Sequence, residues 1–374
     1  MPGAVLLLMA AQVHQQAGSN PLQFNSIQVF RFVAALMVIV CHSSFYTNER
    51  LAKGSYIYGQ GANGVELFFV ISGFVMIISS QGFVSVKGGW KTFAVKRIIR
   101  IVPIYWLITT FKLLLLLKTS GVVLHSQLDF WLALKSYLFI PALNMDGEYR
   151  PLYGVGWTLN MEMFFYLLFG IALAFKLKPV RFLASLFIPL AILSQFKKPG
   201  WPDVAFYADP IVLDFIYGMI AAKLILKGYK IPSQIAIVFI VIGLLYLFVP
   251  VAVIFPGYQV NQITFGLAAF LIVYGGASVD GTAIQFSRWA VYLGAASYSL
   301  YLIHPSVAPL IPTILNKLGY KQPLMSVVLS VIMAVFVGVL FYRFFEMPLT
   351  NFFKRLMKKS AAADAIEIAV DPAK

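Results

Sequence analysis

Cysteine occurs once in this 374-residue chain, at Cys41, so an intramolecular disulfide framework is excluded. Histidine occurs four times. No Cys/His group has metal-ligand spacing, which argues against structural zinc, and the single thiol argues against redox chemistry. Charge is equally scarce: only 11% of the residues are Asp, Glu, Lys or Arg, and 14 acids face 29 bases. With 60% hydrophobic residues, that balance excludes an ordinary soluble domain. The net charge of +15 is scattered through short connections, with no basic domain to grip a duplex, so nucleic acid is not an expected partner. The chain has no repeat of fixed period, and its two halves lack the matching broken segments of many transporters. The apolar run at residues 4–11 has no Lys or Arg ahead of it, unlike a signal peptide.

Long apolar runs are abundant. Windows of about 20 residues predict spans at 27–46, 62–80, 98–118, 154–175, 180–195, 209–227, 232–254, 262–279, 288–314 and 324–345. The expected fold is an all-α polytopic membrane bundle of about ten transmembrane helices. The fifth span is the weakest, being short and holding Pro189. The expected divisions are a short leader at 1–25, a membrane domain at 26–350 and a basic tail at 351–374. With the termini inside, the inner connections and tail collect Lys87, Lys91, Lys96, Arg97, Arg100, Lys176, Lys178, Arg181, Lys223, Lys227, Lys230, Arg288, Lys354, Arg355, Lys358 and Lys359. The outer connections are poorer in bases, so both termini are placed in the cytoplasm. The connection at 119–153 then lies outside, and its aromatic half suits an interfacial helix or a re-entrant piece.

Arg31 and His42 share the first span, in SIQVFRFVAALMVIVCHSSFY. A guanidinium inside a membrane helix costs roughly 2.5 to 3.5 kcal/mol on insertion scales, so its presence favours a functional site. Eleven residues advance a helix by about three turns, placing both side chains on one face, about 16 Å apart along the axis. They can line one cavity at two depths but cannot grip one atom together.

Other ionisable groups recur near the helix ends. Glu66 in GVELFFVISGF starts the second span at a depth similar to His42, where it could orient the imidazole as a general base; two groups reaching headgroup water would look the same. Arg97 and Arg100 are one helical turn apart and suit phosphate oxygens, although anchoring at the cytoplasmic surface also accounts for them. Glu162 lies within the fourth span and Asp214 within the sixth. Tyr301 and His304 are one turn apart in ASYSLYLIHP, where His304 could simply bond a carbonyl freed by Pro305. Arg343 and Glu346, also one turn apart, read as a structural pair.

Taken together, Arg31 and His42 at an Arg-x10-His spacing, GVELFFVISGF, Arg97 with Arg100 as Arg-x-x-Arg, WTLNMEMFFY, ASYSLYLIHP and FFEMP resemble the acyltransferase 3 family of integral membrane proteins. The likeness is greatest to its exopolysaccharide-production acetyltransferase members. It implies a ten-helix fold in the bacterial inner membrane that moves an acyl group, usually acetyl from acetyl-coenzyme A, to a sugar hydroxyl of an extracellular glycan or its lipid-linked precursor. No permanently bound cofactor or metal is expected. The resemblance also implies that His42 and Arg31 are essential and that Arg97 and Arg100 bind the donor. The sequence departs from the family in having Glu66 where many members have Asp, and it lacks the fused periplasmic hydrolase-like domain of some members. The membrane domain is therefore expected to perform the whole transfer.

On this reading His42, oriented by Glu66, deprotonates the acceptor hydroxyl, or alternatively takes the acetyl group and passes it outward. Arg31 sits toward the donor end. Glu162, Asp214, Tyr301 and His304 are candidates for binding the acceptor. A glycan exporter without acyl transfer, or a structural subunit of a synthesis complex, would also place charges among apolar helices.

Overall fold

The computed structural model describes residues 24–84, 86, 88–118, 128–249, 261–282 and 284–357. Residues 1–23 of the expected leader, the tail beyond 357, the first part of the 119–153 connection and the end of the seventh span lie outside them. The described residues are 77% helical, with no strand among them. Helices α1 (Asn25–Arg50), α2 (Gly64–Ser80) and α3 (Gly89–Lys118) are followed by the short α4 (Phe130–Tyr137). Next come α5 (Trp157–Ala174), α6 (Pro179–Leu193), α7 (Val212–Leu226), α8 (Ser233–Phe248) and α9 (Gln262–Val279). The last part comprises α10 (Arg288–Ala295), α11 (Ser297–Val307), α12 (Leu310–Lys317) and α13 (Pro323–Phe341), which continues through a π-helical turn at Tyr342–Glu346.

Among the described residues, 8 helical segments are long and apolar enough to cross a membrane. Two further expected spans are shorter helices, with 15 residues in α7 and 16 in α8. The chain is a membrane protein. The ninth expected span, 288–314, differs in detail. Its first eight residues form α10, a separate helix, and the continuous apolar segment is Ser297–Lys317. At Gly294 a Cβ would lie 1.9 Å from the Gln28 carbonyl oxygen, so the separate α10 lies directly on the α1 backbone.

Helix α1 runs through the bundle, packed by α2, α9, α10, α11 and α13. Its first turn is capped from afar, because the Asp280 carboxylate accepts from the Asn25 and Ser26 backbone N–H groups, each at 3.1 Å. Burial raises the Asp280 carboxyl above its ordinary range, and these bonds oppose the rise.

Between membrane helices, lipid supplies no hydrophobic drive, so close packing of small residues does much of the work. Helix α13 shows the pattern. Ser326, Ser330, Ala334 and Gly338, spaced by four, form its buried stripe, while Val328, Ile332 and Phe336 are exposed to the lipid side. Thr47 and Ser326 hydroxyls meet at 2.9 Å, and Ser330 donates to the Ala308 carbonyl at 3.1 Å.

Candidate active site

Two helices bring the histidines together. His42 on α1 and His304 on α11 lie with Nδ1 of the first 2.6 Å from Nε2 of the second, their rings within 12° of one plane. Nδ1 of His304 is 2.6 Å from the Tyr301 carbonyl, which can only accept, so that nitrogen carries a proton. In the neutral pair Nε2 of His304 is then the acceptor and His42 donates from Nδ1. This chain of bonds fixes the tautomer and leaves the Nε2 lone pair of His42 available as a base. His304 is fully buried, whereas His42 is partly exposed.

One turn of α11 away, Tyr301 forms part of the wall of a cavity of about 270 Å3. Arg31 from α1 and Arg97 and Arg100 from α3 converge on it, with Glu162 from α5, Ser72 from α2 and Ser297 from α11. The Glu162 carboxylate is held by the Ser72 hydroxyl at 3.0 Å and by the Tyr166 hydroxyl. Arg97 bonds Ser79, and its guanidinium lies 5.3 Å from the Phe93 ring centroid and 5.6 Å from that of Tyr166. Arg31 donates to Gln28 at 3.2 Å. Among the described residues, none of these three arginines forms a salt bridge. Three guanidiniums around one small cavity without direct carboxylate partners attract an anionic ligand with several oxygens. The Ser297 hydroxyl is a further buried donor without a partner there.

Residues 24–343 match the sequence model described as an acyltransferase domain. The chain belongs to the acyltransferase 3 family. It is 31% identical over 311 residues to the exopolysaccharide production protein ExoZ of Rhizobium meliloti (strain 1021), covering 79% of this chain and 92% of that protein. It is 26% identical over 317 residues to the acyltransferase MdmB of Streptomyces mycarofaciens, covering 76% and 78% of the two chains. No solved structure matches it. The protein is an O-acyltransferase.

The structure of this acyltransferase separates the residues picked from sequence into three groups. His42 pairs with His304 in place of Glu66, so His304 occupies the orienting position expected of the carboxylate. Glu66 accepts from Gln262 of α9 at 3.2 Å and lies beside Asp214. Asp214 is buried against the bare backbone of Gly266, where a Cβ would come within 2.0 Å of its Oδ1. Neither acid lines the arginine cavity. The third group is the cavity itself, where Arg31, Arg97 and Arg100 share the space with Glu162 and Tyr301. The Tyr301 hydroxyl is fixed by Thr158 at 2.9 Å and by the Val155 carbonyl at 3.0 Å.

Glu346 was legible only as half of a pair with Arg343. The π-turn is wider than an α-turn, and it rotates residues three apart onto different faces. Arg343 is exposed, and Glu346 turns inward to accept from the Ser299 hydroxyl at 2.5 Å, within electrostatic reach of Arg31 and Arg100. A π-turn beside a functional site is a recurring arrangement that no spacing in the sequence announces.

Proposed function

We propose that this enzyme moves an acetyl group from acetyl-coenzyme A to a hydroxyl of an exopolysaccharide or its lipid-linked precursor. The observation that carries the reading is the arginine cavity lying toward one end of α1, with a histidine base further along the same helix. A phosphate-rich donor suits Arg31, Arg97 and Arg100. The distribution of Lys and Arg favours placing this end, and both termini, in the cytoplasm of a bacterial inner membrane, with residues 26–350 as the membrane domain. The acceptor then approaches His42 from the outer side. The name of the Rhizobium relative supports an exopolysaccharide acceptor.

His42 Nε2 takes the proton of the acceptor hydroxyl as its oxygen attacks the acyl carbonyl, and the imidazolium returns the proton to the departing thiolate. His304 holds the His42 ring in the tautomer that makes this possible. Arg31 belongs with the donor grip, because its distance along α1 keeps it from the carbonyl that His42 serves. Glu162 orders the cavity through Ser72 and Tyr166. The test is purified protein in liposomes, given acetyl-coenzyme A labelled in the acetyl group and a lipid-linked oligosaccharide. Label on the glycan supports the reading; label that never leaves the donor with any glycan acceptor defeats it.

A further inference from the structure

A second cavity lies at the other end of the bundle from the arginines, between α4 and the segment that leads into α7. It measures about 220 Å3 and is lined by Asp129, Trp131, Leu132, Lys135, Leu143 and Asp203. That is smaller than a drug-sized site and has room for about one sugar ring.

Its walls are built rather than incidental. Helix α4 is tied to α3 by the Trp106 indole, which donates to the Tyr137 carbonyl at 2.9 Å, and by Thr110, whose hydroxyl meets that of Tyr137 at 2.7 Å. The Leu152 N–H donates to Ser136 at 2.8 Å and fixes the facing loop to α4. Lys135 bonds Asp203 at 2.9 Å, and one Asp129 oxygen accepts from the Leu132 N–H at 2.7 Å. Lys135 therefore keeps two ammonium donors, and Asp129 keeps an acceptor oxygen, for another ligand.

Beside these fixed polar groups stands Trp131, 66% exposed. Trp131 and Lys135 are four residues apart, so they share one face of α4. A broad apolar ring flanked by acceptors and a donor complements a sugar, which presents a C–H face and a rim of hydroxyls. Lipid headgroups fit less well, because two carboxylates repel phosphate. The loop that supplies Leu143 also carries Arg150, whose charge reaches His42 and Tyr46, so cleft and base belong to the same end of the molecule.

We propose that this cleft is an accessory subsite for the acceptor glycan, holding a ring remote from the one acylated, with Trp131 as its stacking face and Asp129, Lys135 and Asp203 as hydroxyl partners. The proposal rests on the glycan-acceptor reading above.

The experiment uses the full chain in nanodiscs. The acceptors are size-fractionated oligosaccharides from deacetylated exopolysaccharide of the producing cell, and the corresponding single-sugar glycosides. The quantity read is the ratio of kcat/KM for the long acceptor to that for the short one. Trp131→Ala is expected to lower this ratio about tenfold through KM of the long acceptor, whereas Leu138→Ala, an exposed apolar side chain at the end of α4 outside the cleft, leaves it unchanged. An unchanged ratio in Trp131→Ala, or an equal fall in both variants, overturns the subsite; the second outcome would make α4 a membrane anchor. Wild-type protein that acylates none of these acceptors strikes the glycan reading itself, and binding of the long oligosaccharide without donor, weakened by Trp131→Ala, then decides the cleft separately.

Discussion

His42 and His304 face each other across 2.6 Å, joining α1 to α11 through a bond whose direction is set by the Tyr301 carbonyl. A histidine held this way has one free nitrogen and one fixed orientation. His42→Ala is expected to lower kcat by about 10² to 10⁴, the usual contribution of a general base. His304→Ala is expected to lower kcat by about tenfold to a hundredfold with donor KM little changed, because the base remains but loses its partner. Steady-state kinetics on protein of normal yield and insertion checks both. A His304 variant with wild-type kcat would remove the orienting role.

The arginines predict a different signature. Arg97→Ala and Arg100→Ala together are expected to raise donor KM at least tenfold with a smaller change in kcat, and Arg31→Ala to act in the same direction. Lysine at these positions keeps the charge but not the planar fork, so Arg97→Lys with Arg100→Lys is expected to recover only part of the loss. Varying the donor at saturating acceptor measures this. An effect confined to kcat would move the arginines from donor binding to the chemical step.

Glu66 yields a prediction opposite to the one its position in the sequence suggests. Because it bonds Gln262 and lies beside Asp214, Glu66→Gln is expected to keep kcat within about threefold. The substitution also places an amide donor beside a second buried acid, so thermal unfolding in detergent is expected to shift upward. A loss as large as that of His42→Ala would return Glu66 to the catalytic group.

These outcomes show where sequence was informative. Apolar runs and scarce charge exposed the membrane helices, since bilayer thickness imposes a length that composition records directly. The spacing of Arg31 and His42 exposed their separation, since both lie on one continuous helix with a fixed rise. The partner of His42 was hidden because it depends on how helices far apart in sequence pack. Glu66 and His304 both stand at a plausible depth, and depth along a helix says nothing about which neighbour faces which. Glu346 was hidden by a local change of helical pitch, and α10 by a break at Ala296 that no proline marks.

The packing of α2 on α7 carries the last prediction. Gly73 and Gly218 let these backbones touch, since a Cβ at Gly73 would lie 2.1 Å from the Phe215 carbonyl oxygen and one at Gly218 would lie 1.9 Å from that of Val70. Both contacts are to backbone, which cannot rotate away as a side chain could. Gly218→Ala must therefore push the helices apart, loosening the stack of Phe165 on Phe215, whose ring centroids lie 4.2 Å apart, and the carboxyl pair of Glu66 and Asp214 on the same two helices. Overpacking of a well-fitted interior typically costs about 1 to 3 kcal/mol. Gly170→Ala, on α5 with nothing within 4 Å of its Cβ position, supplies the comparison. Thermal unfolding in detergent is expected to fall clearly for Gly218→Ala and to stay near wild type for Gly170→Ala; equal stability of the two would mean that the α2–α7 contact is looser than these distances require.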